Sequence, residues 1–256
     1  MASTRSLRLL QLNLWNLSGD AAGRMRELSA ILQHYQPDVC CFQETVVHAA
    51  GSSHEQAWEP LGYEAVHALV PTWPGAIVAG GRTGNTIVAR LPVREEQVLW
   101  LPSGRWPEHR CVVVAEVVLS GGRGIHILNT HLAWRPEDDP LRARQVRAII
   151  ADVLAPLQPS DVILCGDLNA TPESPALQLL LAAGLTDAWS QAGCGAGHTW
   201  SHRNPNMGLG AAFDRRIDYI LPADHLQCRS IELVGVRPIA ETTVSDHFGL
   251  IADISL

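Results

Sequence analysis

The chain has 256 residues, 46% of them hydrophobic, with 19 basic against 26 acidic side chains and a formal charge of −7. This length can bury one large core or two small ones, and the longest apolar run is far below the ~18 residues that a membrane-spanning helix needs. All 19 basic residues are arginine, and a net acidic chain without lysine is a poor generic binder of long nucleic acid, whose affinity comes largely from many phosphate contacts.

A GC-rich coding sequence is the plainer account of arginine in place of lysine. No linker, repeat or low-complexity tract divides the sequence, so a single domain over residues 1–256 is expected. Residues 1–6 lack the apolar segment of a secretory signal, which makes a cytoplasmic protein the expectation. Nothing implies a protein partner, and a monomer is expected. Cys40, Cys41, Cys111, Cys165, Cys194 and Cys228 sit mostly in apolar runs without CxxC spacing and read as buried free thiols.

In chain order, Leu7 to Leu14 alternates as a strand does and ends in Asn13-Leu14-Trp15-Asn16. Asp20 can cap a helix with Met25, Leu28, Ile31, Leu32 and Tyr35 on one face, stopped by Pro37. Val39 to Phe42 is a short apolar strand with Gln43 and Glu44 at its tip. Strands are then expected at Tyr63 to Val70, Ala76 to Gly80, Thr86 to Ala89 and Val93 to Leu101. Val112 to Leu119 and Ile125 to Asn129 flank a glycine-rich hairpin turn, and Asn129-Thr130-His131-Leu132 follows.

Leu141 to Leu154 reads as an amphipathic helix with Arg142, Arg144 and Arg147 off its apolar face. Next comes Ile163 to Asn169, an apolar run ending in Gly-Asp-Leu-Asn. Alternation along an extended chain puts Asp167 and Asn169 on one side and Leu168 on the other. A helix follows, capped by Ser174, begun by Pro175 and stopped at Gly184, and Asp187 can cap another. Residues 190–214 read as a long loop. Strands at Arg216 to Leu221, Leu226 to Val236 and Phe248 to Ser255 close the chain, with Ser245-Asp246-His247 before the last.

Five strand ends thus carry Asn13, Glu44, Asp167 with Asn169, Asp218, and Asp246 with His247. Such oxygen donors suit a hard cation like Mg2+, whereas the histidines and cysteines lack the spacings of zinc sites. His131, Asn169 and His247 can donate to a phosphoryl group beside the cation. Singly, each has a plain structural reading. Asn13 serves as well as a turn cap, Glu44 as a solvated charge, His131 as a core histidine, Asp187 as a helix cap, and Arg110 and Asn85 as ordinary ion-pair and turn residues. Asp218 lies between Ile217 and Tyr219 and needs a partner in either case.

Together, Leu12-Asn13-Leu14-Trp15, Gln43-Glu44-Thr45, residues 84–90, Asn129-Thr130-His131-Leu132, Gly166-Asp167-Leu168-Asn169, Arg216-Ile217-Asp218-Tyr219-Ile220 and Ser245-Asp246-His247 resemble the endonuclease/exonuclease/phosphatase superfamily, in its order. Arg144-Gln145 and His198-Thr199-Trp200 fit the same pattern. The resemblance implies an α/β fold of the DNase I-like kind, a four-layer α/β/β/α sandwich with two mixed β-sheets, and a Mg2+-dependent phosphoesterase site that accepts Mn2+. It implies that Glu44 is the principal metal ligand, with Asn13 and Asp246 beside it. Asp167 would orient or deprotonate the attacking water, Asn169 would contact phosphate, and His247 would pair with Asp218. His131 would donate to the phosphate or leaving group, and Arg110, Asn85 and Trp200 join the expected substrate contacts.

The substrate expected is a nucleotide-like or other small phosphorylated molecule, or a short nucleic acid, cleaved as a diester. A phosphomonoesterase is the alternative, and an inactive relative kept as a binding module is the third reading. Trp73, Trp106, Trp134 and Trp200, with Arg105, Arg135, Arg203 and Arg215, fall in segments bordering the expected site. They can stack on a base or simply anchor loops.

Overall fold

The computed structural model describes residues 6–48, 51–52, 54–69, 77–78, 81–105, 108–157, 161–210, 213–240 and 242–256. Trp73 and Trp106 lie outside these residues, as does most of the strand expected at 76–80.

Two parallel strand pairs, each closed by a helix on its outer face, generate the architecture. β1 (Ser6–Asn13) and β2 (Val39–His48) run parallel and are joined by α1 (Ala21–Tyr35). Asp20 caps α1 by accepting from the Gly23 N–H at 3.0 Å, and the helix ends at Gln36, left-handed before Pro37. β9 (Gly124–His131) and β10 (Val162–Asp167) run parallel and are joined by α2 (Asp139–Ile149), a π-helical turn over Ile150–Leu154 and α3 (Ala155–Leu157).

Around these pairs grow two mixed sheets. The first has the order β12 (Gln227–Val234), β13 (Gly249–Ser255), β1, β2, β6 (Gly81–Ala89), β4 (Glu64–Leu69), with β3 (Gly51–Ser52) on β2 and β5 (Ile77–Val78) on β6. The second has the order β11 (Asp218–Pro222), β10, β9, β8 (Cys111–Val118), β7 (Val93–Trp100). α4 (Pro175–Ala182) packs beside α2, and α5 (Ala188–Ala192) packs on β12 and β11.

Period-two alternation sorts the side chains into three buried layers. Leu7 and Leu9 of β1, Val39 and Cys41 of β2, Ile125 and Ile127 of β9, and Ile163 and Cys165 of β10 meet between the sheets. Leu10, Leu12, Cys40 and Phe42 face outward under Leu28, Ile31 and Leu32 of α1. Leu128, Val162 and Leu164 face outward under Val146 and Ile149 of α2 and Leu177 and Leu180 of α4. The order is helix, sheet, sheet, helix.

Several elements differ from their sequence expectation. β2 does not stop at Phe42: it passes through an irregularity between Phe42 and Thr45, where Glu44 has φ 55°, and pairs again with β6 as far as Val47. The stretch 190–214, expected as a loop, includes the end of α5, Trp200 in a bridge to Arg215, and a 3-10 segment at Pro205–Gly210. Arg142 is buried, unlike Arg144 and Arg147. Its guanidinium donates to the Ala133 and Arg135 carbonyls at 2.8 Å each and pairs with Asp139, so it fastens the segment after His131. The six cysteines are all free, and only Cys194 is exposed. Among the described residues no helix is long and apolar enough to cross a membrane.

Candidate active site

The inward parity that builds the core continues to the ends of the strands. On β1 it runs from Leu7 and Leu9 through Gln11 to Asn13; on β9 through Asn129 to His131; on β10 through Cys165 to Asp167. β11 and β13 are antiparallel to β10 and β1, so their amino ends reach the same edge and bring Asp218 and His247 there. The chain is cross-stitched at this edge by backbone bonds from Leu14 to Gln43, Leu132 to Asp167, Leu168 to Ile217 and Phe248 to Thr199.

Glu44 has the wrong parity for this edge, since Cys40 and Phe42 point outward. Its left-handed φ and the irregular register beside it turn the carboxylate into the cleft, as a bulge re-aims a side chain. Asn169 is likewise left-handed (φ 49°) rather than extended, and its N–H donates to Asp167 Oδ1 at 3.0 Å. Both Asp167 and Asn169 still line the cleft while Leu168 is buried in the core.

Asp167 is the hub. Asn13 Nδ2 donates to its Oδ2 at 3.0 Å and also approaches Glu44 Oε1 at 3.3 Å. His131 Nε2 lies 3.5 Å and His247 Nε2 3.8 Å from the same Oδ2. On its other side His247 Nδ1 meets Asp218 Oδ2 at 2.8 Å, although 29 positions separate the two residues. Asp218 is fully buried behind the histidine, and Trp200 packs edge-on against that ring at 4.9 Å between centroids.

Burial and charge set these groups apart. Asp167 is pushed up to about 7 by burial and by the charge of Asp218. Burial works against a charged ring at His247, but the charge and hydrogen bond of Asp218, with Asp167 and Asp246 behind them, outweigh it and raise the ring to about 10. Burial, then the neighbouring charges of Arg110 and His247, hold His131 well below the usual histidine range. The site thus contains one charged and one neutral imidazole on either side of a basic carboxylate, the separation that acid–base chemistry needs.

Asp246 is raised to about 6 by burial and by the charge of Glu44, against the lowering effect of His247. The Glu44 carboxylate thus lies close enough to Asp246 in the cleft to act on it. Around them the donors are oxygen-rich: Glu44 and Asp246 both line the cleft, and Asn13 Oδ1 accepts only from the Trp15 N–H, at 2.9 Å, among the described residues. A hard divalent cation fits such a set. Asp167, Asp218 and His247 also bring possible ligand atoms within 4.8 Å of one another. That trio is less suited to a cation, because the 2.8 Å hydrogen bond between His247 and Asp218 already holds it together.

Of the expected substrate contacts, Arg110, His131, Asn169 and Trp200 line the cleft. Asn85 does not. It shares the inward parity of Ile87, and its amide donates across the sheets to the Cys111 carbonyl at 3.0 Å. Arg215 and Trp134 line the cleft; Arg105 and Arg203 lie at other depressions. Arg135 sits over Trp134, 4.9 Å from its ring centroid, and pairs with Glu108, which also accepts from Trp134 Nε1 at 2.7 Å. Asp187 caps α5 and holds Arg216 at 2.7 Å.

Sequence reasoning missed four supports. Asn16 donates to Glu44 Oε2 at 3.1 Å. Arg24, buried in α1, donates to the carbonyls of Leu14, Trp15, Asn16, Ser18 and Val244 and so ties the loop after Asn13 to the segment before Asp246. Ser245 donates to the Asn13 carbonyl at 2.6 Å, and Thr199 Oγ1 accepts from the N–H groups of Ile217 and Asp218. Asn16, Thr199 and Ser245 stand in segments that the sequence singles out, though without these roles, and Arg24 is a charge among the apolar positions of an amphipathic helix.

Zebrafish (Danio rerio) tyrosyl-DNA phosphodiesterase 2 is 25% identical over 252 residues, which cover 92% of this chain and 64% of that protein. Human (Homo sapiens) sphingomyelin phosphodiesterase 2 is 26% identical over 285 residues, covering 97% of this chain and 64% of that one. The chain thus spans just under two thirds of the length of these relatives. In three dimensions it superposes on the crystal structure of D. rerio TDP2 complexed with single strand DNA product, with a TM-score of 0.79 at 21% identity over 98% of this chain and 99% of that one. The sequence model of the endonuclease/exonuclease/phosphatase family matches residues 10–247, and the chain belongs to this family of phosphoester hydrolases.

Proposed function

We propose that the chain is a Mg2+-dependent phosphodiesterase acting on a nucleotide-like or other small phosphorylated substrate, with residues 1–256 as a single catalytic domain. The observation that carries this reading is the convergence on Asp167 Oδ2 of Asn13 Nδ2 at 3.0 Å, His131 Nε2 at 3.5 Å and His247 Nε2 at 3.8 Å, with Asp218 behind His247; burial raises the basicity of that carboxylate. Asp167 accepts a proton from the attacking water as its oxygen bonds to phosphorus. His247 Nε2–H donates to a non-bridging phosphoryl oxygen, and Asp218 keeps the opposite nitrogen protonated and the ring aimed. His131 and Asn169 contact the phosphate or the departing oxygen as the phosphorus–oxygen bond breaks.

Glu44 and Asp246, assisted by Asn13, would hold the cation, which supplies Lewis-acid polarisation of the phosphoryl group and charge neutralisation at the leaving oxygen. Arg110 adds a cation to the cleft; its Nε is buried without a hydrogen-bond partner among the described residues. The cleft, of about 980 Å3, matches the upper part of the roughly 300–1,000 Å3 range of small-molecule pockets. Diester cleavage is favoured by the names of the two relatives, both phosphodiesterases.

The test is Mg2+-dependent release of p-nitrophenol from bis-p-nitrophenyl phosphate and from p-nitrophenyl phosphate, with plasmid and short single strands alongside. Turnover of the diester supports the proposal. Turnover of the monoester alone replaces it with a phosphatase, and inertness toward every substrate points to a binding module.

A further inference from the structure

Asp218 is not held by His247 alone. Its Oδ2 accepts from His247 Nδ1 at 2.8 Å, and its Oδ1 accepts from the side-chain amide of Gln11 at 3.1 Å. Gln11 belongs to the other sheet, on β1, and is fully buried. Behind it runs a chain of primary amides through the space between the sheets. Gln11 and Gln43 exchange two hydrogen bonds of 2.8 Å. Gln43 Nε2 also donates to Asn129 Oδ1 at 2.6 Å, and Asn129 Nδ2 donates to the backbone carbonyls of Phe42 and Thr86 at 2.8 and 2.9 Å.

A primary amide has two N–H donors on one side and an oxygen on the other, so fixing one orientation in a buried chain fixes the next. Asn129 must turn its NH2 toward two carbonyls, which only accept. Its oxygen therefore faces Gln43, and Gln43 answers with an N–H. The second N–H of Gln43 goes to the Gln11 oxygen, and the Gln43 oxygen takes one N–H of Gln11. One donor of Gln11 remains, and it meets Asp218. Reversing Gln11 would set its oxygen against a buried carboxylate, and the same reversal would propagate back to Asn129, leaving buried donors unmet.

We infer that Gln11 is a positioning residue of the catalytic centre: the amide relay from Asn129 through Gln43 delivers a fixed N–H to Asp218 Oδ1, which leaves Oδ2 to hold His247. The inference rests on the role given above to the Asp218–His247 pair. It makes the core between the sheets part of the catalytic apparatus, because backbone carbonyls of β2 and β6 determine how a carboxylate on β11 is oriented.

Gln11→Met keeps the side-chain length and removes the donor. In the full chain with Mg2+ and the diester, kcat should fall about 10- to 100-fold, the range typical of partners that orient a working side chain, while KM and the Mg2+ half-saturation change less than about twofold. The decisive reading is the cycle with Asp218→Asn. In that background Gln11→Met should change kcat by less than about twofold, whereas a residue that only supports the fold costs the same factor in both backgrounds, and that result overturns the inference. Gln11→Leu carries the same cycle if the methionine variant does not fold. The histidine ring N–H signals in the NMR spectrum give a reading without turnover: the His247 Nδ1–H resonance should move between wild type and Gln11→Met. An unmoved resonance overturns the inference even in an active enzyme, whereas a wild type inert on every phosphoester with a resonance that moves sinks only the proposed activity.

Discussion

Replacing Asp218 by asparagine removes one charge from the centre at almost constant volume. Asp218, with its hydrogen bond and help from Asp167 and Asp246, lifts His247 from 6.5 to about 10 against the effect of burial. At about 1.4 kcal/mol per tenfold change, this is roughly 5 kcal/mol in favour of the charged ring. Without that charge, burial meets only the weaker effects of Asp167 and Asp246, and the ring should lose its proton at a lower pH. The same substitution lowers Asp167, which the charge of Asp218 helps to hold at about 7. Both limbs of the pH–rate profile should therefore move toward acid, from a wild-type window between about 7 and about 10. Near pH 7.5, kcat/KM should fall by roughly 10²- to 10⁴-fold, the range for a positioned proton-transfer or phosphate-stabilising group. The double variant Asp218→Asn/His247→Ala should be little worse than His247→Ala alone, since the two act as a unit. The assay is diester hydrolysis from about pH 5 to about pH 10 at saturating Mg2+. A profile lowered in height at an unchanged optimum would refute the electrostatic reasoning.

The same ring fixes the sign of the stability profile. Its folded pKa exceeds the ordinary value, so its contribution is complete below about 6.5 and is lost as pH rises through about 10; Asp167 and Asp246, raised from 3.8 to about 7 and about 6, disfavour the fold as pH climbs toward those values. Calorimetry of the metal-free protein should therefore show a melting temperature that falls from mildly acid to alkaline pH, and a rise over that range contradicts the assignments. Glu44→Gln should raise the Mg2+ concentration for half-maximal activity, and EDTA should abolish activity reversibly, with Mg2+ or Mn2+ restoring it better than Zn2+; an unchanged Mg2+ titration with full activity removes Glu44 from the site. Arg24→Met strands carbonyls on both sides of the metal corner and should cost about 3 kcal/mol or more in urea unfolding; a loss under about 1 kcal/mol means the loop is held by other contacts. Long duplex DNA should be a poor substrate beside small diesters because of the −7 charge, and efficient plasmid nicking with a steep salt dependence would show a local arginine surface overriding it.

Much of this site was legible because alternation is a strict rule. Once Leu7, Leu9, Ile125, Ile127, Ile163 and Cys165 are read as inward positions, Asn13, His131 and Asp167 follow on the same faces at the carboxyl ends of their strands, and the packing of the two sheets brings those ends to one edge. The helix signals at Asp20 and Ser174 were equally local and hold in the structure. The pairing of Asp218 with His247 had no local signal. It came from the resemblance to a family, and in the structure it depends on β11 and β13, in different sheets, starting at the same edge.

What the sequence hid are the places where alternation is broken or where a polar side chain occupies an apolar position. Glu44 stood as a strand tip, but the strand continues and only a left-handed residue inside it turns the carboxylate inward. Straightening that irregularity would send Glu44 to the α1 side with Phe42 and leave Asp246 without its facing carboxylate. Arg142 read as a surface charge because helical periodicity does not reveal that the carbonyls of Ala133 and Arg135 lie beneath it. Gln11 and Gln43 follow Leu7 and Leu9 on β1 and Val39 and Cys41 on β2 along the inward faces, where a lone amide would be costly. Their parity is the same as that of Asn129 and Asp218, so four buried polar side chains were bound to meet between the sheets. A core that buries several amides together must satisfy them mutually, and the carboxylate that this chain of amides reaches among the described residues is the one that holds His247.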